Sequence, residues 1–351
     1  MNEPMSDATE DCQEARTAPA LSCEACGAMV GLTAEQPVCD ACGAKVSVLD
    51  GGVLDLRKDR SFDTLLDVAA YDEGHNVGQA THRLAGSYEG MLRDAGLAQA
   101  DHVLEIGAGS GNLTEGLLAT PFFGALYSSD ISPDFMALLQ RRVGPQDPNR
   151  LRCILLDAND TPFADSSFDC VIGHSILHHL AYFERTLAEC YRVTKPNGAC
   201  AFAEPILDIH VYAAYAAKLI LALEEGKGTV PSDRRQVLRA LGMRPDTKRA
   251  NLEGDRDSLA EVEDKFMFPI DYMHNLAREI GFARMRCVSP SDAATLGQSS
   301  RTIIERTLAQ RGAEPGFLDD YAFVFDELTE TIGKGMANNH MAPFSFFVFE
   351  K

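Results

Sequence analysis

Between residues 101 and 205 the chain alternates short apolar runs with amphipathic windows. The runs at 103–106, 125–128, 152–156, 170–173 and 200–203 are too short for helices and are bounded by turn formers, so they predict strands. The windows at 111–119, 135–143 and 181–193 repeat their apolar residues at helical spacing and predict helices between those strands. Strand and helix in alternation predict βαβ units, a parallel sheet covered on both faces and a doubly wound α/β fold. After 205 the pattern changes. An apolar helix rich in Ala and Leu is expected over 206–225, then a polar stretch over 227–256. A helix near 270–280, a strand near 284–288, an aromatic helix over 317–328 and a last strand over 344–349 complete the chain. Upstream, 61–97 reads as a helical bridge, 21–56 as a small cysteine-bearing segment, and 1–20 as a disordered leader.

Composition narrows the functional classes. At 351 residues the chain has room for two domains, and 45% hydrophobic against 24% charged residues is the mix of a globular protein. Thirty-two basic against 52 acidic residues give a net charge of −20, which repels a nucleic-acid backbone or an anionic membrane at long range. One stretch runs the other way: 227–256 holds eight Lys or Arg against four Asp or Glu. The N-terminus lacks a cationic segment followed by an apolar one, and the longest apolar run, 211–223, is broken by Lys218. Ten cysteines are too few for a disulfide scaffold in a chain of this length. A cytoplasmic, reducing compartment is the expectation.

Four of those cysteines form a pattern. Cys23-Glu-Ala-Cys26-Gly and Cys39-Asp-Ala-Cys42-Gly are two C-x-x-C-G knuckles separated by twelve residues. The two-residue gap lets both thiolates of a knuckle reach one ion, and four thiolates around Zn²⁺ make a closed structural site. Two redox-active C-x-x-C pairs are the rival reading. A segment this small needs metal to hold it, which favours zinc.

A second constellation carries cofactor chemistry. In Val103-Leu-Glu105-Ile-Gly107-Ala108-Gly109-Ser-Gly111-Asn112, an apolar strand runs into a glycine-rich turn and then a helix, whose free N–H groups face a ligand. The G-x-G-x-G spacing differs from the dinucleotide fingerprint. An acid ahead of the turn, Glu105, would repel pyrophosphate but suits an ammonium group. Asp130 follows the next strand, 23 residues past Gly107, near the spacing expected of a ribose-binding carboxylate. Asp157 ends the strand after that, where it can accept from an exocyclic amine. Three successive strand ends bearing acids point to a ligand, because ligands of such sheets bind at the carboxyl ends of the strands.

With VLEIGAGSGNL, SSDIS, DANDTPFADSSFDCVIGHSILHHL and RVTKPNG in this order, the region 101–204 resembles the class I S-adenosylmethionine-dependent methyltransferases, particularly the UbiE-like group. The resemblance implies a Rossmann-like seven-stranded sheet whose last strand is antiparallel, an N-terminal zinc ribbon and helical C-terminal insertions. It implies that Glu105, Gly107, Ala108, Gly109, Gly111 and Asn112 cradle the methionine part of the cofactor. Asp130 and Ile131 would take the ribose, Asp157 and Ala158 the adenine, and His174 would lie near the methionine. Tyr71 is a candidate lid residue. The segment 21–56 is similar to zinc ribbons fused ahead of some bacterial methyltransferases, ribosomal RNA guanine methyltransferases among them. The expected organisation is a leader over 1–20, a ribbon over 21–60 and a methyltransferase domain over 61–351, with insertions at about 206–265 and 290–340 forming a substrate lid.

Methyl transfer from a sulfonium is an in-line displacement that needs positioning and exclusion of water more than a catalytic triad. A general base helps when the acceptor is a hydroxyl or a protonated amine; the candidates are His178, His179 and Glu204. His210 reads as a helix-surface or lid residue. Ile206 to Leu223 with Phe266, Phe268, Tyr272, Phe323 and Phe325 either line an apolar cavity or pack onto the sheet. Arg234, Arg235, Arg239, Arg244, Lys248 and Arg249 are either a solvated helix face or a seat for a carboxylate, phosphate or carrier group. The leading reading is an enzyme that methylates O, N or C of a small, partly apolar metabolite. The alternatives are a zinc-ribbon RNA methyltransferase and a cofactor-binding partner protein without transfer. Residues 1–60 hold eleven acids against five bases, which disfavours phosphate reading by the ribbon.

Overall fold

The structure, a computed structural model, describes residues 18–32, 36–61, 68, 72–73, 80–228, 230–290, 292–335 and 340–351. Tyr71 and residues 1–17 of the expected leader lie outside the described residues. In chain order the regular elements are β1 (Ala20–Ser22), β2 (Met29–Gly31), β3 (Ser47–Val48), β4 (Leu54–Asp55), α1 (Ala80–Asp94), β5 (Ala100–Ile106), α2 (Asn112–Leu118), β6 (Phe123–Asp130), α3 (Pro133–Arg142) and β7 (Leu151–Leu155). They continue as β8 (Phe168–His174), α4 (Phe183–Val193), β9 (Thr194–Pro205), α5 (Leu207–Lys227), α6 (Ser232–Glu253), α7 (Ile270–Ile280), β10 (Arg284–Val288), α8 (Leu296–Gln310), α9 (Ala322–Glu327) and β11 (Phe344–Glu350).

The central sheet runs β10-β11-β9-β8-β5-β6-β7-β4-β3. β5 pairs in parallel with both β6 and β8, so the strand order reverses there and a crevice opens at the carboxyl end of β5. β11 is antiparallel to its neighbours β9 and β10, as expected for the last strand. The seven expected strands are present. Two more come from the cysteine-bearing segment: β4 adds in parallel to β7, and β3 pairs antiparallel with β4. The segment's last strands therefore complete one edge of the main sheet.

Burial explains the local choices. β5 and β8 bury consecutive residues over 103–106 and 170–173, hence the mainly apolar character of those stretches. α4 buries Phe183, Leu187, Cys190 and Val193, a stripe at helical spacing that packs toward the sheet. α3 starts where the Ser132 hydroxyl accepts from Phe135 N–H at 3.3 Å, with Pro133 in the first turn. Asn197 takes φ 63°, a left-handed turn that Asn tolerates.

Three expectations beyond 205 change. The aromatic helix expected over 317–328 is broken into a tight turn at Gly316–Tyr321, α9, and a wider turn at Leu328–Ile332. Phe266 and Phe268 are wholly buried against Phe183, whereas Phe323 is 57% exposed, so these aromatics do not line one cavity. His210, expected at a helix surface or lid, is only 7% exposed because α5 is apolar on most sides and is packed by α6 and α8. Among the described residues no helix is long and apolar enough to cross a membrane.

Candidate functional site

The glycine turn after β5 is held by close packing. A Cβ on Gly107 (φ +69°) would sit 2.5 Å from the Ile176 side chain, and one on Gly111 (φ +88°) 2.8 Å from Leu139. Gly109 (φ +53°) has open space where its Cβ would be, so here the backbone can be approached by a ligand. Ala108 is buried, and its N–H donates to Ser129 O at 2.9 Å.

The three acids occupy the ends of adjacent strands. Glu105 is 1% exposed; its Oε2 accepts from Thr114 and Ser128 hydroxyls, both at 2.6 Å. Its Oε1 is buried and has no hydrogen-bond partner. Burial, with the charge of Asp130 adding, raises the Glu105 carboxyl to about 7 against the two hydroxyl bonds. Asp130 accepts from Ser132 N–H at 2.9 Å and Gly109 N–H at 3.0 Å, which ties the β6 end to the glycine turn. Burial raises its pKa too. Asp157 Oδ1 accepts from Asn159 N–H at 2.9 Å and its side-chain amide at 3.1 Å. Ala158 beside it is buried.

Neighbouring contacts show signals that sequence reading missed. Arg57, just past β4, grips Asp55 with two nitrogens at 2.9 and 3.0 Å, and its Nη1 donates to Ile131 O at 3.2 Å. The cysteine-bearing segment thus holds the residue next to Asp130. Asn112 Oδ1 accepts from Arg142 Nη2 at 2.8 Å, and Arg142 Nη1 pairs with Asp72 at 2.5 Å. The bidentate D-x-R spacing of Asp55 and Arg57 was the one available hint.

On the other side of the turn lies the post-β8 segment. His174 has its Nδ1 buried without a partner, and burial lowers its pKa below 6.5. Ser110 Oγ is orphaned in the same way. Glu204, wholly buried, accepts from the N–H groups of Ile176 (2.9 Å), Leu177 (2.8 Å) and His178 (3.4 Å), and pairs with His178 Nδ1 at 2.6 Å. It caps this turn from inside. His178 Nε2 lies 3.5 Å from Asp264, a residue no pattern in the sequence marked. Burial alone would lower His178, but Asp264 and Glu204 outweigh it and bring it up to about 9. His179 Nδ1 meets Glu263 O at 2.9 Å; burial and the charge of His178 lower its pKa.

The two cysteine knuckles are built alike. Cys23 N–H donates to Ala28 O and Cys39 N–H to Ala44 O, both at 2.8 Å, while Gly27 and Gly43 both take φ 75°. Cys23 and Cys42 sulfurs are 3.7 Å apart, and those of Cys26 and Cys39 3.6 Å. A tetrahedron with metal–sulfur bonds of about 2.3 Å has edges of about 3.8 Å, so the four thiols fit one ion.

Comparison with known proteins agrees with this geometry. Residues 104–202 match the family described as methyltransferase domain. Malonyl-[acyl-carrier protein] O-methyltransferase from Halorhodospira halophila is 34% identical over 101 residues, covering 29% of this chain and 34% of that protein. Demethylmenaquinone methyltransferase from Symbiobacterium thermophilum is 36% identical over 101 residues, or 28% of this chain and 40% of that protein. A 27-O-demethylrifamycin SV methyltransferase from Amycolatopsis mediterranei is 24% identical over 207 residues, covering 56% and 72%. The chain thus spans only about a third to two fifths of the first two relatives. The similarity thus lies in the segment 104–202, which carries a methyltransferase domain.

Proposed function

We propose that the protein transfers a methyl group from S-adenosylmethionine to O, N or C of a small metabolite. The observation that carries this reading is a set of three buried polar atoms without partners around one glycine turn: Glu105 Oε1, Ser110 Oγ and His174 Nδ1. Buried polar atoms in a folded protein are nearly always paired, so three orphans in one place mark a site waiting for a polar ligand. The chemistry of the set suits the donor. Glu105 offers a carboxylate oxygen to an ammonium, Asp130 has oxygens for ribose hydroxyls, and Asp157 keeps Oδ2 for an amine. When bound, the cofactor supplies an activated methyl on a sulfonium.

The chain's own residues then position the acceptor and hold its proton. His178, between Glu204 and Asp264, keeps its proton at neutral pH and so is not a base there. His174 and His179 are neutral at that pH, so proton removal from an acceptor falls to one of them. Glu204, spent on three backbone N–H groups, positions the turn rather than reacting. The segment 21–60 acts as a zinc ribbon with Cys23, Cys26, Cys39 and Cys42 as ligands, and the helical insertions shape the acceptor side. A cleft of about 1040 Å³ separates the ribbon from the domain. Two of its cations are matched by acids, Lys58 with Asp160 at 2.5 Å and Arg192 with Glu189 at 2.8 Å, which supports a small acceptor over a polyphosphate chain.

The test is turnover of methyl-labelled S-adenosylmethionine against fractionated metabolite extracts, with the labelled product identified by mass. Calorimetric binding of the cofactor without any labelled product would refute methyl transfer; absence of cofactor binding would refute the site itself.

A further inference from the structure

The structure divides the cationic stretch of α6 into two parts. At its N-terminal end each charge has a carboxylate: Arg234 pairs with Glu224 at 2.6 Å, and Arg235 and Arg239 meet Glu225 at 3.5 and 3.3 Å. Arg234 also stacks on Phe317 at 3.7 Å. One turn apart further on, Arg244 and Lys248 are half-buried and, among the described residues, have no carboxylate within ion-pair distance. No hydrogen bond engages the Arg244 guanidinium, while Lys248 Nζ donates only to the main-chain carbonyl of Asp264.

Lys248 leads back to the turn that carries His178. Asp264, on which Lys248 rests, is the residue that contacts His178. His178 lies two residues past Ile176, whose side chain packs over Gly107. On the neighbouring helix α5, His210 is more than nine-tenths buried, and its Nδ1 has no partner. Its pKa falls to about 4, through burial first and then through the charges of Arg244 and Lys248 on α6, the helix that packs against α5. Arg311, at the end of α8, adds a third positive charge that acts on Arg244. Two half-buried cations share the charge of Asp264, which lies beyond ion-pair distance of both and is also engaged by His178, so the arrangement makes physical sense when something more negative fills it.

A metal ion is the competing occupant. His178, His179 and Asp264 present ligand atoms within 4.8 Å of one another. The charges of Arg244 and Lys248 act on that same Asp264, and a divalent cation there would face both of them. Both cations act against a metal at that carboxylate.

We propose that Arg244 and Lys248, with the unpartnered ring of His210, form an oxyanion subsite that binds a carboxylate or phosphate of the methyl acceptor. The proposal rests on the methyltransferase reading and deepens it: the substrate is a small anion, or a molecule with an anionic handle, whose apolar part reaches the methyl donor. Arginine suits this task because its planar fork meets both oxygens of such a group.

The experiment uses the full chain saturated with S-adenosylhomocysteine and titrates inorganic phosphate, then acetate, by calorimetry. Saturable binding of either probe is expected, and the probe that binds more tightly tells which oxyanion the subsite prefers. Affinity should fall at least tenfold in Arg244→Gln, fall less in Arg244→Lys, which keeps the charge but not the fork, and be unchanged in Arg239→Gln, whose charge already has a partner. Equal affinity in wild type and Arg244→Gln, or no saturable binding of either probe, overturns the proposal. Titrating S-adenosylmethionine into the same variants separates the two readings. Unchanged cofactor affinity in Arg244→Gln supports the acceptor subsite. A loss there shows the cations serving the donor's own carboxylate and overturns it. Failure of the cofactor to bind wild type refutes the methyltransferase site, while the phosphate and acetate titrations still judge the anion site by themselves.

Discussion

Glu105→Gln separates a carboxylate kept for a ligand from one kept for the fold. In the free protein burial brings this carboxyl from 4.5 to about 7, so the folded state holds a proton that the unfolded chain has released between those values. A folded pKa raised above the unfolded one contributes stability that is present below 4.5 and lost as pH rises through 7. Two and a half pH units correspond to about 3 kcal/mol at pH 8. The amide carries no charge to bury, and the hydroxyls of Thr114 and Ser128 can reorient toward it. The variant should therefore be more stable than wild type at pH 8 by up to about 3 kcal/mol, with the advantage gone at pH 4.5. Cofactor binding should move the other way. Loss of a charged hydrogen bond to the ammonium is worth about 1.5–3 kcal/mol, or roughly a 10- to 150-fold rise in Kd. Wild-type affinity should also weaken as pH drops below 7, since the ammonium needs the ionised form, while the variant shows no such slope. Urea unfolding at both pH values and calorimetry with S-adenosylmethionine read these effects. If stability and affinity fall together at pH 8, or Kd does not change, Glu105 is a structural acid and the proposed ammonium contact is wrong.

Other substitutions probe the remaining parts. Asp130→Ala removes the acceptor of the Gly109 and Ser132 N–H groups as well as the ribose oxygens, and should weaken cofactor binding by about 1.5–3 kcal/mol; unchanged calorimetric affinity would contradict the assignment. Cys39→Ser should abolish stoichiometric zinc and loosen the N-terminal segment while the sheet stays folded. Elemental analysis that finds no metal in wild type sinks the ribbon, and amide exchange across 20–56 locates the loosening. Glu204→Gln keeps one oxygen for the Ile176 and Leu177 N–H groups but sets an NH2 against the His178 imidazolium and N–H, so a loss of about 3–5 kcal/mol is expected in urea unfolding. His178, held at about 9 by its carboxylates, contributes stability that is full below 6.5 and lost as pH rises through 9. Glu204→Gln should flatten that part of the pH profile, and an unaltered profile would mean that His178 is not charged in the folded state.

The strands and acids of the central domain were readable because each is a local pattern. The runs ending in Glu105, Asp130 and Asp157 are short, apolar and punctuated, and the crevice follows from the strand reversal at β5. What escaped depends on distant contacts. Nothing near Leu54 announces that it will pair with Ile154, a hundred residues on, and extend the sheet. His210 lies in a helix whose apolar residues surround it, so no stripe indicates which side is inside. Asp264 stands in the polar stretch Glu261-Val-Glu263-Asp264-Lys265, where one acid looks like the next. Only the fold selects it, by bringing it to His178.

The same distinction bears on how the ribbon and the cofactor site are related. By sequence the two are separate modules, with Arg57 just beyond the ribbon's last strand. In the folded chain Arg57 is 5% exposed, neutralised by Asp55 and bonded to the carbonyl of Ile131, next to Asp130. A buried ion pair of this kind adds little net stability, since desolvation offsets most of the attraction, but it is geometrically demanding. Its effect is to fix the β6 end at one distance from β4. The thiol cluster sets the ribbon's shape, β4 registers it on β7, and Arg57 transmits that register to Asp130. The cysteine-bearing segment is thereby part of the scaffold that holds Asp130, and its acidic surface need not meet any nucleic acid to account for its presence.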